Sequence, residues 1–322
     1  MAKSKKSGKK TTKTTQPAKE EKLLKDKTKK VVKKTETKKT TKAVKAEKAK
    51  PVVVEEKVEK VEVKKPEGFF KRLFAKKYEG NENILTIFKD KKVYGALLGE
   101  FFGTMVLTML ILTIGIYQVL YLFLMLIVVM VAVHKISGAN LNPITTVGMM
   151  ATRRMSVIRG VLYLLVQVLG AWIGYSIISA FVKAGGTGVE LAKMTAIPEG
   201  KFWAVTIIEF FGATVLGFFY ARAQQYKHSS LTFAVIAAGG TAIAILLVYV
   251  ITANFYGLDG TFMLNPAVAL MHQILPQSAD NVGELLGGIG LALVTYVIFP
   301  MIGGALGSYL SDTSQILAED DK

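Results

Sequence analysis

Four polar side chains lie where polar groups are costly, inside long apolar stretches. Asn142 and Asn265 each precede a proline, in Leu141-Asn142-Pro143-Ile144 and Leu264-Asn265-Pro266-Ala267. Glu100 and Glu209 each open an apolar segment, in Glu100-Phe-Phe-Gly-Thr and Glu209-Phe-Phe-Gly-Ala-Thr. An asparagine amide offers two N–H donors and one acceptor. Two such amides facing one space can orient an incoming oxygen without making or breaking a bond. A carboxylate at membrane depth has two readings: it carries protons, or it accepts hydrogen bonds from irregular backbone. Metal chemistry has little to draw on, with no cysteine and three histidines (His134, His228 and His272, read as incidental). No catalytic group, metal site or cofactor is implied.

The elements that position these groups follow from length. Proline suits the first turn of a helix, where its missing N–H would have no partner. The run from Pro143 to Thr152 gives roughly 15 Å of helix, about half of a bilayer core. Two such runs meeting end to end complete one span. Six full spans are expected near 94–116, 119–136, 157–182, 203–223, 230–251 and 284–310. The connection at Tyr117-Gln118 is so short that the first two spans must be antiparallel neighbours. Pro300 should kink the last span. Each half reads span, span, Leu-Asn-Pro half-helix, span. Three spans per half invert the second half relative to the first and place a shared site at mid-membrane. Gly99/Gly103, Gly170/Gly174, Gly283/Gly287 and Gly303/Gly307 have the small-xxx-small spacing of closely packed membrane helices.

The charge of +17 is unevenly spread. Residues 1–65 hold 24 lysines and 9 acids, net +15, and no aromatic residue, whereas the remainder holds 17 basic and 15 acidic residues, net +2. The basic character belongs to a low-complexity tail that cannot bury enough apolar surface to order itself. No apolar stretch with a cleavage pattern follows those charges. The tail's expected partners are water, anionic lipid or nucleic acid. In residues 66–93, Phe69, Phe70, Leu73 and Phe74 recur at helical spacing opposite Lys71, Arg72, Lys76 and Lys77. That pattern suits a short interfacial helix, or a linker containing phenylalanine. Lysine and arginine placement favours both termini on the cytoplasmic side, with Arg153, Arg154 and Arg159 inside.

The chain resembles the major intrinsic proteins, the aquaporins and aquaglyceroporins, over about residues 94–310. The resemblance rests on Glu100-Phe-Phe-Gly-Thr, Ile136-Ser-Gly-Ala-Asn-Leu-Asn-Pro143, Gln167 with Leu169-Gly-Ala171, Glu209-Phe-Phe-Gly, Leu264-Asn-Pro-Ala267 and Pro300-x-x-Gly-Gly-x-x-Gly307. It implies an all-α membrane fold of six helices and two re-entrant half-helices. It implies a passive channel for water and small neutral solutes in the cell membrane, a homotetramer with one pore per subunit. Asn142, Pro143, Ile144, Asn265, Pro266 and Ala267 would form the pore centre, and Glu100 and Glu209 would brace the loops. Departures from the pattern bear on selectivity. Ile144 stands where the family usually has alanine, and Lys135 where it commonly has histidine. Val268 stands where it normally has the filter arginine. The other filter positions fall on Leu122, Ala253 and Phe262, giving an apolar, uncharged filter whose Phe262 matches the glycerol-conducting branch.

The organisation expected is therefore a cytoplasmic tail (1–65), a juxtamembrane segment (66–93), the channel (94–310) and a short acidic cytoplasmic tail (311–322). The leading function is diffusion of glycerol-sized solutes and water. Two alternatives remain open at this stage. One is a channel of relaxed selectivity for other solutes or ions. The other is a proton-coupled transporter using Glu100 or Glu209.

Overall fold

Apolar chain in a bilayer must satisfy its backbone internally, and helices do this within one segment. The computed structural model describes residues 68–78, 82–114, 119–185, 197, 200–257, 262–274 and 282–320. Its helices are α1 (Phe69–Leu73), α2 (Lys91–Ile114), α3 (Val119–Ser137), α4 (Pro143–Ala151), α5 (Val157–Gly185), α6 (Phe202–Ala223), α7 (Ser230–Ile251), α8 (Pro266–Ala269), α9 (Val282–Leu293) and α10 (Phe299–Asp320). Among the described residues, six helical stretches are long and apolar enough to cross a membrane. They match the expected spans, with the fourth and fifth running on to Tyr226 and Asn254. The tail and the Tyr117-Gln118 connection lie outside the described residues.

The last span is one stretch, Val282–Glu319. Within it α9 and α10 are joined by a π-helical turn, Val294–Ile298. That turn ends two residues before Pro300, whose missing N–H removes a hydrogen bond from the ladder just there. The end expected at residue 310 is not a helix end. α10 continues to Asp320, and its Ser311 and Asp312 are buried.

Helix packing follows the repeat. α2 lies on α5, and α6 lies on α10. A Cβ on Gly170 would fall 2.4 Å from the Phe101 carbonyl oxygen, and one on Gly303 2.4 Å from that of Phe210. Gly174 and Gly307 meet Met105 and Thr214 in the same way, at 2.6 and 1.9 Å. Glycine is required at these positions because the backbones touch. Gly99 and Gly103 instead receive the side chains of Ser137 and Leu141. Gly287 faces open space, so no close helix contact is made there among the described residues. Apolar side chains such as Leu120, Val128, Leu165 and Ile207 point outward, as suits a lipid-facing surface.

The juxtamembrane segment is partly helical and is tied down. α1 covers the first part of the predicted pattern, with Leu73 buried and Phe70 exposed. Lys77 donates from its backbone N–H to the Arg153 carbonyl at 2.8 Å and pairs through its ammonium with buried Asp312. Arg154 pairs with the same carboxylate from the other side. Glu82 pairs with Arg159 and accepts from the Ser156 hydroxyl. Residues 68–78 and 82–90 thus form a strap held to α5, α10 and the turn after α4.

Candidate pore and its two asparagines

The chain before each half-helix must turn sharply to aim it. Gly138, Ala139 and Leu141 have φ of 90°, 55° and 56°, and Leu264 has 46°. Non-glycine residues pay for this left-handed backbone in strain, so surrounding bonds must hold it. Glu100 does so for the first loop. Its carboxylate accepts the N–H groups of Asn140 at 2.9 Å and Leu141 at 2.7 Å, and the Gln167 amide at 2.8 Å. Glu209 accepts the N–H groups of Met263 and Leu264 in the second. Tyr163 and Tyr220 donate to the Ser137 and Gly138 carbonyls.

Both asparagines cap their half-helices. Asn142 Oδ1 accepts from Ile144 N–H at 2.9 Å, and Asn265 Oδ1 from Ala267 N–H at 3.1 Å. Pro143 and Pro266 occupy the first helical positions. The two helices start at one place, because Asn142 Nδ2 donates to the Leu264 carbonyl at 2.8 Å. Asn265 Nδ2 is buried without a protein partner. Both amides line a narrow central cavity of about 40 Å³, with Leu122, Leu126, Ile245 and Met263 among its apolar walls. That is room for about three waters.

The other predicted residues are less collected. Ile144 is fully buried with its Cγ2 over Gly304 of α10, away from the cavity lining. Ala267 packs with Ala171 and Met271. Of the four filter positions, Leu122 is in the cavity wall. Phe262 is buried in the main core, and Val268 in a separate cluster with Val205, Met263 and Tyr296. Ala253 is half-buried in the π-helical turn Thr252–Tyr256. Of these four, Leu122 alone is among the described residues that line the central cavity. His134 stacks on Phe233 at 4.1 Å and contacts Ser230 Oγ through Nδ1, which gives it a packing role.

Several residues escaped the sequence reading. Thr145 and Thr146 turn their hydroxyls back onto the Asn142 carbonyl, and Thr145 also reaches the Asn140 carbonyl. The paired threonines after Asn-Pro were the available signal. Asn140 lines both the central cavity and a second cavity of about 320 Å³, so it marks where the two approach. The larger one is lined by Tyr78 and Glu82 of the strap, Gly138 of the loop, and Arg154, Ser156 and Arg159. Partial burial alone would raise the Glu82 carboxyl, but hydrogen bonds from Arg159 and Ser156 outweigh it and hold it below its ordinary value. Burial lowers the Lys77 ammonium against the opposing pull of Asp312.

The family model described as "Major intrinsic protein" matches residues 87–311. The bovine "Lens fiber major intrinsic protein" is 27% identical over 180 residues, covering 53% of this chain and 65% of that one. "Aquaporin PIP2-4" of Zea mays is 28% identical over 192 residues, covering 55% and 64%. The chain thus spans a little under two thirds of the length of these curated relatives. The fold is similar to that of the aquaglyceroporin from Plasmodium falciparum, with a TM-score of 0.53 at 19% identity, over 71% of this chain and 100% of that one.

Proposed function

The chain belongs to the major intrinsic protein family, and from that premise we propose that it is a passive membrane channel for glycerol-sized neutral solutes and water. The observation that carries this reading is the meeting of two capped half-helices around Asn142 and Asn265, with the Asn265 amide unpartnered in an apolar lumen. A water or hydroxyl oxygen there accepts from the amides and turns its hydrogens outward. That breaks a proton-conducting chain, and the positive ends of two helix dipoles oppose cations. Glu100 and Glu209 brace the loops. Their oxygens already accept loop N–H groups, which favours this role over proton carrying.

The outer filter is Leu122, Ala253, Phe262 and Val268, without the usual arginine. Valine at 268 leaves the filter uncharged and comparatively wide, which favours glycerol-sized solutes over water alone. The working form is a homotetramer in the cell membrane with both termini cytoplasmic. Residues 1–65 attach to anionic lipid or nucleic acid.

The test is parallel stopped-flow measurement of water, glycerol, urea and ion fluxes in proteoliposomes. The expected glycerol flux is linear in concentration and indifferent to a proton gradient. Saturable accumulation against a gradient would overturn the channel reading in favour of coupled transport. Ion flux as large as glycerol flux would replace it with a channel of relaxed selectivity. Val268→Arg, assayed per folded channel, should lower glycerol flux more than water flux. Unchanged ratios would remove Val268 from the filter.

A further inference from the structure

The cavity beneath the strap is built as an anion receptor, and the chain's own Glu82 occupies it. One Glu82 oxygen accepts from Arg159 Nε at 2.9 Å and from its Nη2, and the other accepts from Ser156 Oγ. A guanidinium fork with a hydroxyl beside it is the donor set that carboxylates and phosphates share. Arg154 lines the same space. Its Nη2 is bonded to Asp312, while its Nη1 is buried without a partner. Among the described groups, Lys77 and Arg154 pair with Asp312 and Arg159 pairs with Glu82, with Asp90 near enough to act on Glu82.

The lining also offers an acceptor. Asn140 is 3% exposed, and its Oδ1 has no partner. It can receive a hydroxyl. The volume of about 320 Å³ lies at the lower end of the range for small-molecule pockets and exceeds what a bare ion fills. We propose that this cavity is a binding site for a small phosphate monoester carrying a hydroxylated chain. Its phosphate replaces the Glu82 carboxylate on Arg159 and Ser156 and draws in Arg154, and a hydroxyl donates to Asn140. Because Asn140 also lines the central cavity, an occupant obstructs the path to the asparagines. A solute's phosphorylated product would in this way restrain further flux. Binding does not depend on which solute the channel passes.

The experiment is calorimetric titration of the full-length protein in zwitterionic nanodiscs with glycerol 3-phosphate, inorganic phosphate and glycerol. Glu82→Gln removes the internal competitor's charge and should tighten glycerol 3-phosphate binding about tenfold, the factor by which self-occupancy dilutes the open receptor. Arg159→Gln should abolish binding, and Ser156→Ala, which keeps every charge, should weaken it several-fold. Glycerol alone should give no heat. Equal affinity in wild type and Glu82→Gln, or no binding of either phosphate by Glu82→Gln at millimolar concentration, overturns the proposal. If the Glu82→Gln gain disappears only in nanodiscs containing phosphatidic acid, a lipid headgroup supplies the phosphate monoester and the site stands. Heat is read without flux, so a protein that binds the monoester but passes no glycerol refutes the channel reading alone.

Discussion

The two halves of the molecule agree in their helix contacts and differ in their loops. α2 meets α5 through Phe101 and Met105 over Gly170 and Gly174, and α6 meets α10 through Phe210 and Thr214 over Gly303 and Gly307. The half-helices they enclose are held unequally. In the first, Glu100 takes two backbone N–H groups and the Gln167 amide, and Thr145 and Thr146 tie their own helix start. In the second, Val268 and Ala269 stand at the corresponding places after Asn-Pro, and neither carries a hydroxyl. α8 is regular for four residues before a π-helical turn, whereas α4 runs for nine. The backbone contacts admit one solution and are duplicated. The polar scaffolding admits many, and among the described residues the first half has the denser one.

The largest expected effect breaks this asymmetry directly. Glu100→Gln should cost about 4 kcal/mol, since it removes a buried charge from three donors. Glu209→Gln should cost less, and thermal unfolding in detergent compares them. A larger loss at Glu209 would reverse the ranking of the halves. Next come the duplicated contacts. Gly170→Ala and Gly303→Ala should each cost about 3 kcal/mol, because the new methyl meets a backbone oxygen that cannot move aside alone. Unequal losses in the same assay would mean that the helix packing is not truly repeated.

Thr146→Val should cost about 1 kcal/mol for its hydrogen bonds. Ala269→Thr should recover part of such a bond in the second half, unless packing forbids the added atoms. Hydrogen exchange at residues 142–146 and 265–269 reads both. The smallest effect concerns the strap, which has no counterpart among the described residues of the second half. The Glu82 carboxyl is depressed, so its ion pair is complete above the ordinary carboxylate value of about 4.5 and fails as pH falls below it. Between pH 7 and 5.5 proteolysis of the strap should be unchanged, with cleavage rising only in stronger acid.

Much of the fold was legible because membranes leave few choices. Six apolar runs, two proline-started half-length runs and the duplicated Glu-Phe-Phe-Gly placed the spans to within a few residues at most ends. Asn142 and Asn265 were identifiable because a polar amide beside proline recurs in the same context. Other features were hidden. Ile144 is an unusual side chain at a constriction motif when read along the chain, yet in space it fills the gap over Gly304. Lys77 and Glu82 sit in a stretch whose composition suggests only an interfacial segment, and their partners Asp312 and Arg159 are 235 and 77 residues away. The supposed acidic tail, 311–322, includes Asp312, whose burial depends on two cations brought from elsewhere.

The sequence by itself determined the helices, their number, the repeat and the two central asparagines. Each follows from local rules: apolar length, proline at a helix start, and the cost of polar groups in hydrocarbon. Only the tertiary structure decided which backbone groups Glu100 and Glu209 hold, which side chains line the central cavity, and that Glu82 of the strap pairs with Arg159. Those outcomes depend on groups far apart in the chain reaching hydrogen-bond distance. Side-chain contacts of that kind are fixed by how the helices pack and not by any pattern along one of them.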